Sequence, residues 1–311
     1  MEPLKLKPAF QDYIWGGTRL RDEFGKDCDF DRVAESWELS CHPDGESVIA
    51  SGEYAGMTLP AFLRQHPEAL GEHCRCFDRF PVLVKLIDAQ DNLSVQVHPD
   101  DAYALAHAGE YGKTELWYII DAEPGAEILY GVKQPMTQSE FRESIETGTI
   151  TEKLRHIPVH PGEAYFIPAG TLHAIGRGCL IAEVQQNSNT TYRVYDYGRG
   201  RELHIAQALD VAALRPTECR KDTPFHDYTN SRARHLGACR YFSAAIEEIS
   251  GRCTEFTDPE SFAHYLVLQG SGTFRSGTMA LQFRKGASLF VPCGTELTIE
   301  GNCTLLYTAV G

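Results

Sequence analysis

Two segments of the chain, Gly162-Glu-Ala-Tyr-Phe-Ile-Pro-Ala-Gly170 and Gly286-Ala-Ser-Leu-Phe-Val-Pro-Cys-Gly294, follow the same pattern. Each begins with a glycine, continues with an aromatic and aliphatic run, and ends on Pro-x-Gly at matching offsets. Glycine tolerates the backbone of tight turns, and aromatic and β-branched residues favour strands. The repeat therefore predicts the same strand and turn in two related domains.

The surrounding sequence favours strands over helices. From about residue 80 onward, short β-branched and aromatic runs such as 80–87 and 116–120 alternate with Gly, Pro and Asp. This pattern is typical of a β-sandwich or barrel, so we expect a mainly β fold in which the duplicated unit is a small β-barrel. Short helices are predicted near 58–65 and near 137–148, where Thr137 and Glu140 have the spacing of a capping box.

The two copies of the repeat differ in the residues that follow them. Thr171-Leu-His173 follows the first copy and Thr295-Glu-Leu297 follows the second, so a histidine in one is a leucine in the other. We therefore expect the second copy to lack metal ligands. A chain of 311 residues is long enough for two domains, and we predict them at residues 1–216 and 217–311, with a linker at 215–222.

Composition and charge exclude several classes of function. The formal net charge of −14 disfavours nucleic acid and anionic membrane as partners, and no apolar run is long enough to span a bilayer. The N-terminal residues mix charged with apolar side chains, unlike a signal peptide. We expect a cytoplasmic protein whose ten cysteines are reduced thiols. A phosphate ligand would need local Lys and Arg residues.

Four residues form a candidate metal site. Gln96 and His98 alternate along a strand and should share one face, Glu115 opens a later strand, and His173 follows the Pro-x-Gly turn. Each of them taken singly is an ordinary turn, surface or core residue. Together they provide two imidazoles, a carboxylate and an amide oxygen, a set that suits a divalent ion such as zinc.

At this point the chain resembles the type I mannose-6-phosphate isomerases, in particular their short bacterial form. The resemblance implies a double-cupin fold of two jelly-roll β-barrels, one zinc ion per chain on the four candidate residues, and interconversion of mannose 6-phosphate and fructose 6-phosphate through an enediol or enediolate. It is carried through the N-terminal two thirds by Ile14-Trp-Gly-Gly17, Glu35-Ser-Trp-Glu-Leu-Ser40 with His42-Pro43, Ser94-Val-Gln-Val-His-Pro-Asp100, Gly112-Lys-Thr-Glu115, Pro168-Ala-Gly-Thr-Leu-His173 and the segment 183–193.

The resemblance also implies roles for further residues. Arg193 matches the catalytic arginine of the family, and Arg199 is a looser match to a phosphate contact, where longer members carry lysine. Ser94 would lie beside the phosphate. Glu183 and Lys113 match other active-site positions, and the general base could be Glu183, Lys113 or a zinc-bound water.

Two other classes of function are considered. Iron oxygenases of the same fold surround the ion with several histidines, whereas Gln96 is a weak ligand that suits Lewis-acid zinc better than redox iron. A non-catalytic sugar-phosphate sensor would have lost a metal ligand or the arginine at position 193, and the first domain keeps both. The sequence gives no expectation of oligomeric state.

Overall fold

A computed structural model describes residues 1–219 and 223–311 and shows a mainly β chain, as predicted. By compactness it divides into two units, each built from separate stretches of sequence. The terminal unit comprises residues 1–12, 18–86 and 222–311, and the central unit comprises 13–17 and 87–221.

The terminal unit contains two of the helices and most of the strand residues. Its helices are α1 (Arg19–Asp22) and α2 (Leu59–Gln65), followed by short 3-10 helices at Pro67–Leu70 and Glu72–Cys76. Its strands are β1 (Leu4–Lys7), β2 (Ala9–Gln11), β3 (Glu35–Leu39), β4 (Val48–Ile49) and β5 (Val82–Asp88), whose last two residues are counted with the central unit.

The central unit contains eight strands and four helices. The strands are β6 (Val95–Val97), β7 (Glu115–Ala122), β8 (Glu127–Val132), β9 (Leu154–Pro158), β10 (Ala164–Ile167), β11 (His173–Ile175), β12 (Cys179–Gln186) and β13 (Tyr192–Tyr195). The helices are α3 (Asp101–His107), α4 (Gln138–Glu146), α5 (Ile150–Lys153) and α6 (Ile205–Val211).

Seven further strands complete the terminal unit. They are β14 (His226–Asp227), β15 (Ser231–Ala238), β16 (Ser243–Phe256), β17 (Ala263–Ser276), β18 (Met279–Arg284), β19 (Ser288–Val291) and β20 (Glu296–Ala309). They join β1 and β4 in one sheet with the order β14-β15-β16-β20-β17-β19-β1-β4, and β18 pairs with β17.

Three adjacent long strands of this sheet have glycines at directly paired positions. Gly251 of β16 and Gly272 of β17 both pair with Gly301 of β20. A Cβ at position 301 would lie 2.4 Å from the carbonyl oxygen of Ser271, and φ there is 153°. Only glycine allows the backbones of these 14-residue strands to approach this closely.

Two sheets of the central unit carry the candidate site. One contains β10, β7 and β12 as neighbouring strands, and the other has the order β13-β6-β11-β8-β9. Their strands are short and largely buried, and every residue of β12 is buried. Val97, Leu129, Leu172 and Val194 are among the apolar residues of the core behind the second sheet.

The structure confirms the repeat. Strands β10 and β19 occupy the same four positions of the two copies, and the glycines at both ends of each copy have positive φ angles between 63° and 92°. The two strands also have corresponding neighbours: β10 pairs antiparallel with β7, and β19 pairs antiparallel with β17. Leu297, which replaces the histidine, is fully buried in the core of the terminal unit.

The helix predictions are also confirmed. Thr137 caps α4 through a capping box with Glu140, and α2 begins directly after Thr58. None of the helices in the described part of the chain is long and apolar enough to cross a membrane. None of the cysteines in the described residues forms a disulfide.

The domain boundary predicted between residues 216 and 217 stays a prediction. Part of its linker, residues 220–222, lies outside the described residues. Division by compactness differs from that prediction because strand β1 pairs with β19, which places N-terminal residues in the sheet formed by C-terminal strands. A pairing between segments as far apart in the sequence as β1 and β19 cannot be predicted from local sequence patterns.

Candidate metal centre

Three of the predicted ligands meet in the interior of the central unit. Nε2 of His98 lies 3.1 Å from Oε1 of Glu115, and Nε2 of His173 lies 3.6 Å from Oε2 of the same carboxylate. One candidate ligand atom from each residue lies within 4.8 Å of the others, and all three side chains are buried. In the described parts of the chain this is the only such group of His, Cys, Asp and Glu residues.

Backbone carbonyls orient the two imidazoles. Nδ1 of His98 lies 2.9 Å from the carbonyl oxygen of Thr190, and Nδ1 of His173 lies 2.8 Å from that of Thr171. A carbonyl oxygen can only accept, so each ring donates from Nδ1 and keeps a lone pair on Nε2. Burial lowers the pKa of both rings, that of His98 to about 3 with a further contribution from Lys113, so both are neutral.

The carboxylate of Glu115 completes a set of electron-pair donors. Burial raises the pKa of Glu115, but Lys113, His98 and His173 together outweigh this effect and hold that pKa well below its usual range. Nζ of Lys113 lies 2.9 Å from Oε1, yet both carboxylate oxygens are buried without an aligned hydrogen-bond donor. Two imidazole lone pairs and a carboxylate converge here, and the Lys113 ammonium lies beside His98 and one carboxylate oxygen only. The donor set therefore fits a divalent metal ion.

The amide of Gln96 lies beside this set. Its Nε2 is 3.4 Å from Nε2 of both His98 and His173. Ser94 Oγ donates to Gln96 Oε1 at 3.5 Å. A half-turn about the last side-chain bond of Gln96 would direct its carbonyl oxygen toward the imidazoles, where it could serve as a fourth, weaker ligand.

Strand pairing places a cationic side chain next to the metal ligands. In the second sheet, Gln96 of β6 pairs with His173 of β11 on one side and with Arg193 of β13 on the other. Directly paired residues project from the same face with Cβ atoms about 5 Å apart. The sheet therefore lines up the arginine, the amide and the imidazole in one row.

Three arginines surround one carboxylate at the end of β13. Arg201 binds Asp196 through two nitrogens at 2.8 and 2.5 Å, and Nη2 of Arg199 lies 2.9 Å from Oδ1 of Asp196. Arg193 donates from Nη1 to the carbonyl oxygen of Glu202 at 3.0 Å, while its Nε is buried without a partner. Burial and then the Arg201 charge lower the pKa of Arg193. A second carboxylate, Asp91, lies 3.8 Å from Nη1 of Arg199, and three cations against these two carboxylates leave excess positive charge for an anion.

The loop that carries these arginines is strained. Tyr197 has φ 52°, a left-handed conformation that a residue with a bulky side chain rarely adopts. The guanidinium of Arg199 lies 5.4 Å from the centre of the Tyr197 ring. Such strain persists only where the surroundings fix the backbone, and it is common at ligand-binding sites.

Glu183 reaches the metal ligands through a tryptophan. Trp117 Nε1 donates to Glu183 Oε1 at 2.7 Å, and the Trp117 ring meets the His173 ring edge to face at 5.4 Å between centres. The two strands pair these residues directly, because Glu183 of β12 lies opposite Trp117 of β7. Glu183 is thus placed to orient the ring that packs on a metal ligand.

The structure brings the predicted site residues together in two groups. Gln96, His98, Glu115 and His173 form the first, with Lys113 and Ser94 in contact, and Arg193 and Arg199 form the second around Asp196. Sequence reasoning missed the contributions of Asp196, Arg201 and Trp117. Asp196 and Arg201 flank Arg199 closely in the sequence, which is the signal that could have identified them.

Comparison with known proteins agrees with this geometry. The model of the phosphomannose isomerase type I catalytic domain matches residues 4–143, and that of the mannose-6-phosphate isomerase cupin domain matches residues 233–310. The chain is 41% identical to the mannose-6-phosphate isomerase ManA of Bacillus subtilis over 96% of each chain. It is 41% identical to the mannose-6-phosphate isomerase of Streptococcus mutans over 94% of this chain and 92% of that protein.

A solved structure supports the same relationship. The crystal structure of the mannose 6-phosphate isomerase from Bacillus subtilis superposes on this chain with a TM-score of 0.93, at 38% identity and over 99% of each chain. Sequence and fold thus agree along almost the whole length of the protein, including the double-cupin architecture predicted for it. The chain belongs to the type I phosphomannose isomerase family.

Proposed function

We propose that the protein interconverts D-mannose 6-phosphate and D-fructose 6-phosphate in the cytoplasm with the help of one zinc ion, held by Gln96, His98, Glu115 and His173. One observation carries the proposal: the neutral imidazoles of His98 and His173 lie in the protein interior beside the Glu115 carboxylate, whose oxygens have no aligned hydrogen-bond donor. Membership of the family supplies the substrate. The nitrogen and oxygen donors, with only a weak amide as fourth ligand, favour Lewis-acid zinc over redox iron.

The reaction moves one proton between C2 and C1 of the sugar and another between O1 and O2. Zinc bound at this site would supply Lewis acidity, which polarises an oxygen of the sugar. Arg193, one strand away from the ligands, is placed to stabilise the negative charge of the enediolate. Nε of Arg193 is buried without a hydrogen-bond partner and could donate to the enediolate oxygen.

The phosphate group would lie at the second cluster. Arg199 and Ser94 are the predicted contacts, and Arg201 adds a third candidate because it shares the carboxylate of Asp196. Guanidinium groups bind phosphate through paired hydrogen bonds, and the Asp196 carboxylate fixes their planes in advance. An acidic protein can in this way hold a phosphate dianion.

The general base is either Glu183, Lys113 or a metal-bound water. Glu183 accepts from the Trp117 indole, which favours a role in positioning, whereas Lys113 touches a metal ligand directly. Exchange of substrate hydrogen with deuterated water separates the candidates. We expect the base to be the residue whose replacement, Glu183→Gln or Lys113→Met, abolishes exchange while zinc stays bound. Exchange that survives in both variants would assign the role to the bound water.

A coupled assay for fructose 6-phosphate formation tests the proposed function. The protein should convert mannose 6-phosphate, and both His98→Ala and His173→Ala should lose bound zinc together with activity, because only weak oxygen ligands and one imidazole remain. His160→Ala is the matched control, since His160 lies in the same unit with a side chain 74% exposed. Stoichiometric zinc in either ligand variant would contradict the assignment.

A further inference from the structure

A second cavity of about 480 Å³ lies in the terminal unit and has no role in the proposed reaction. It is formed by strand β1, by the segment that follows α1, and by the turn between β18 and β19. Its size is that of a small-molecule site.

The cavity carries an excess of positive charge in a protein whose net charge is −14. Lys5, Lys7 and Arg284 line it, and none of the three has a carboxylate within 4 Å among the residues that the structure describes. Asp27 is the single acidic residue of the lining. Three cations against the one carboxylate of the lining leave an excess of positive charge in this cavity, which indicates a site for an anion.

A buried lysine of the lining, Lys26, is neutralised by a carboxylate of its own. Lys26 is 5% exposed, and its Nζ lies 2.6 Å from Glu38 Oε1 and donates to the Gly286 carbonyl oxygen at 2.6 Å. Burial lowers the pKa of Lys26, Glu38 raises it, and the nearby Lys5 lowers it again. Lys26 is thus paired within the protein, and the ammonium groups of Lys5 and Lys7 remain for a ligand to contact.

Local backbone and packing hold the cations in place. Gly25 has φ 61°, and a Cβ there would lie 3.2 Å from Nη2 of Arg284, so the glycine leaves room for the guanidinium. Lys285 stacks on the Phe24 ring at 4.2 Å and pairs with Glu23 at 3.2 Å. The lysine on the turn is thus engaged, whereas the neighbouring arginine stays available to a ligand.

We propose that this cavity binds the phosphate dianion of a small phosphorylated metabolite, with Lys5, Lys7 and Arg284 as its contacts. An arginine fork and two ammonium groups match the oxygens of a phosphate better than those of a monovalent anion. Nucleic acid does not fit, because the cavity is small and the remaining surface is acidic.

Calorimetric titration of the zinc-loaded full chain with inorganic phosphate tests the proposal. Lys7→Ala/Arg284→Ala should weaken one phosphate-binding event about 100-fold, or about tenfold for each cation removed. Arg142→Ala/Lys153→Ala removes the same charge from exposed positions of the central unit and should leave that event unchanged. Lys7→Arg should retain it. Identical isotherms for the unmodified protein and the cavity variant would overturn the proposal.

Two further arms remove ambiguity. The single variants Lys7→Gln and Arg284→Gln, each expected to weaken binding about tenfold, keep the test decisive if the double variant does not fold. Glucose 6-phosphate, titrated in parallel, separates inorganic phosphate from a phosphate ester as the preferred ligand. Binding of either probe that the cavity variants weaken supports the site. If the cavity variants weaken the binding of neither probe, the proposal is contradicted.

Discussion

Replacing Glu115 by glutamine removes the charge at the centre of the proposed zinc site while keeping its shape. The Lys113 ammonium, 5% exposed and 2.9 Å from that carboxylate, would then be buried without its counter-ion. Breaking a buried ion pair costs about 3 to 5 kcal/mol, because the remaining charge stays out of water. We therefore expect Glu115→Gln to lower the free energy of unfolding of the chelator-treated protein by this amount. Zinc affinity should fall about 100-fold or more, the equivalent of about 2.8 kcal/mol.

Urea unfolding in the presence of a chelator and zinc content after dialysis measure the two effects separately. Lys113→Met/Glu115→Gln should regain most of the lost stability, since it removes the uncompensated charge, but it should not regain zinc. Glu152→Gln, at an exposed carboxylate, is the control. The reasoning is refuted if Glu115→Gln is as stable as the unmodified chain, or if the double variant is no more stable than the single one.

Three other predictions concern separate parts of the molecule. Arg193→Ala should lower kcat about 100-fold or more with a smaller change in KM. Arg199→Ala should act mainly on KM, because the phosphate has the same charge in the ground state and the transition state. Steady-state kinetics that show the reverse pattern would exchange the roles of the two arginines. Leu297→Ala should lower the free energy of unfolding by about 2 to 5 kcal/mol, since the side chain is fully buried, with kcat of the folded protein unchanged; loss of turnover in a stable, zinc-loaded variant would contradict this. Burial, and then Glu255, raises the pKa of Glu247 well above its usual 4.5, so folding takes up a proton and stability falls as pH rises from 4.5 through the raised pKa. Glu247→Gln should therefore raise Tm at about pH 7 but not at about pH 4, unlike the exposed control Glu296→Gln, and equal gains at both pH values would refute the assignment.

The candidate metal ligands could be found from the sequence because strand periodicity and the repeat both leave local patterns. Alternation predicts that Gln96 and His98 share a face, and the position of His173 follows from the Pro-x-Gly turn that the repeat marks twice. The replacement of that histidine by Leu297 predicted that the second copy lacks this metal ligand, and the structure places Leu297 in a hydrophobic core.

Other features depend on contacts between distant segments and left no local signal. The pairing of β1 with β19 joins the two ends of the chain, and the cation-lined cavity arises only from that pairing. Glu247 and Glu255 occupy alternate positions of one long strand and resemble solvent-facing residues in sequence. The burial of the Glu247 carboxyl group depends on what packs against this long strand, which the sequence does not reveal.

Zinc titration of the chelator-stripped protein tests the central claim most directly. Formation of fructose 6-phosphate from mannose 6-phosphate should be lost on stripping, rise in proportion to added zinc, and level off at one zinc ion per chain. The same titration of His173→Ala should give no recovery at that ratio. Full activity in the stripped protein, or equal recovery in the His173→Ala variant, would contradict a reaction that depends on zinc held by His98, Glu115 and His173.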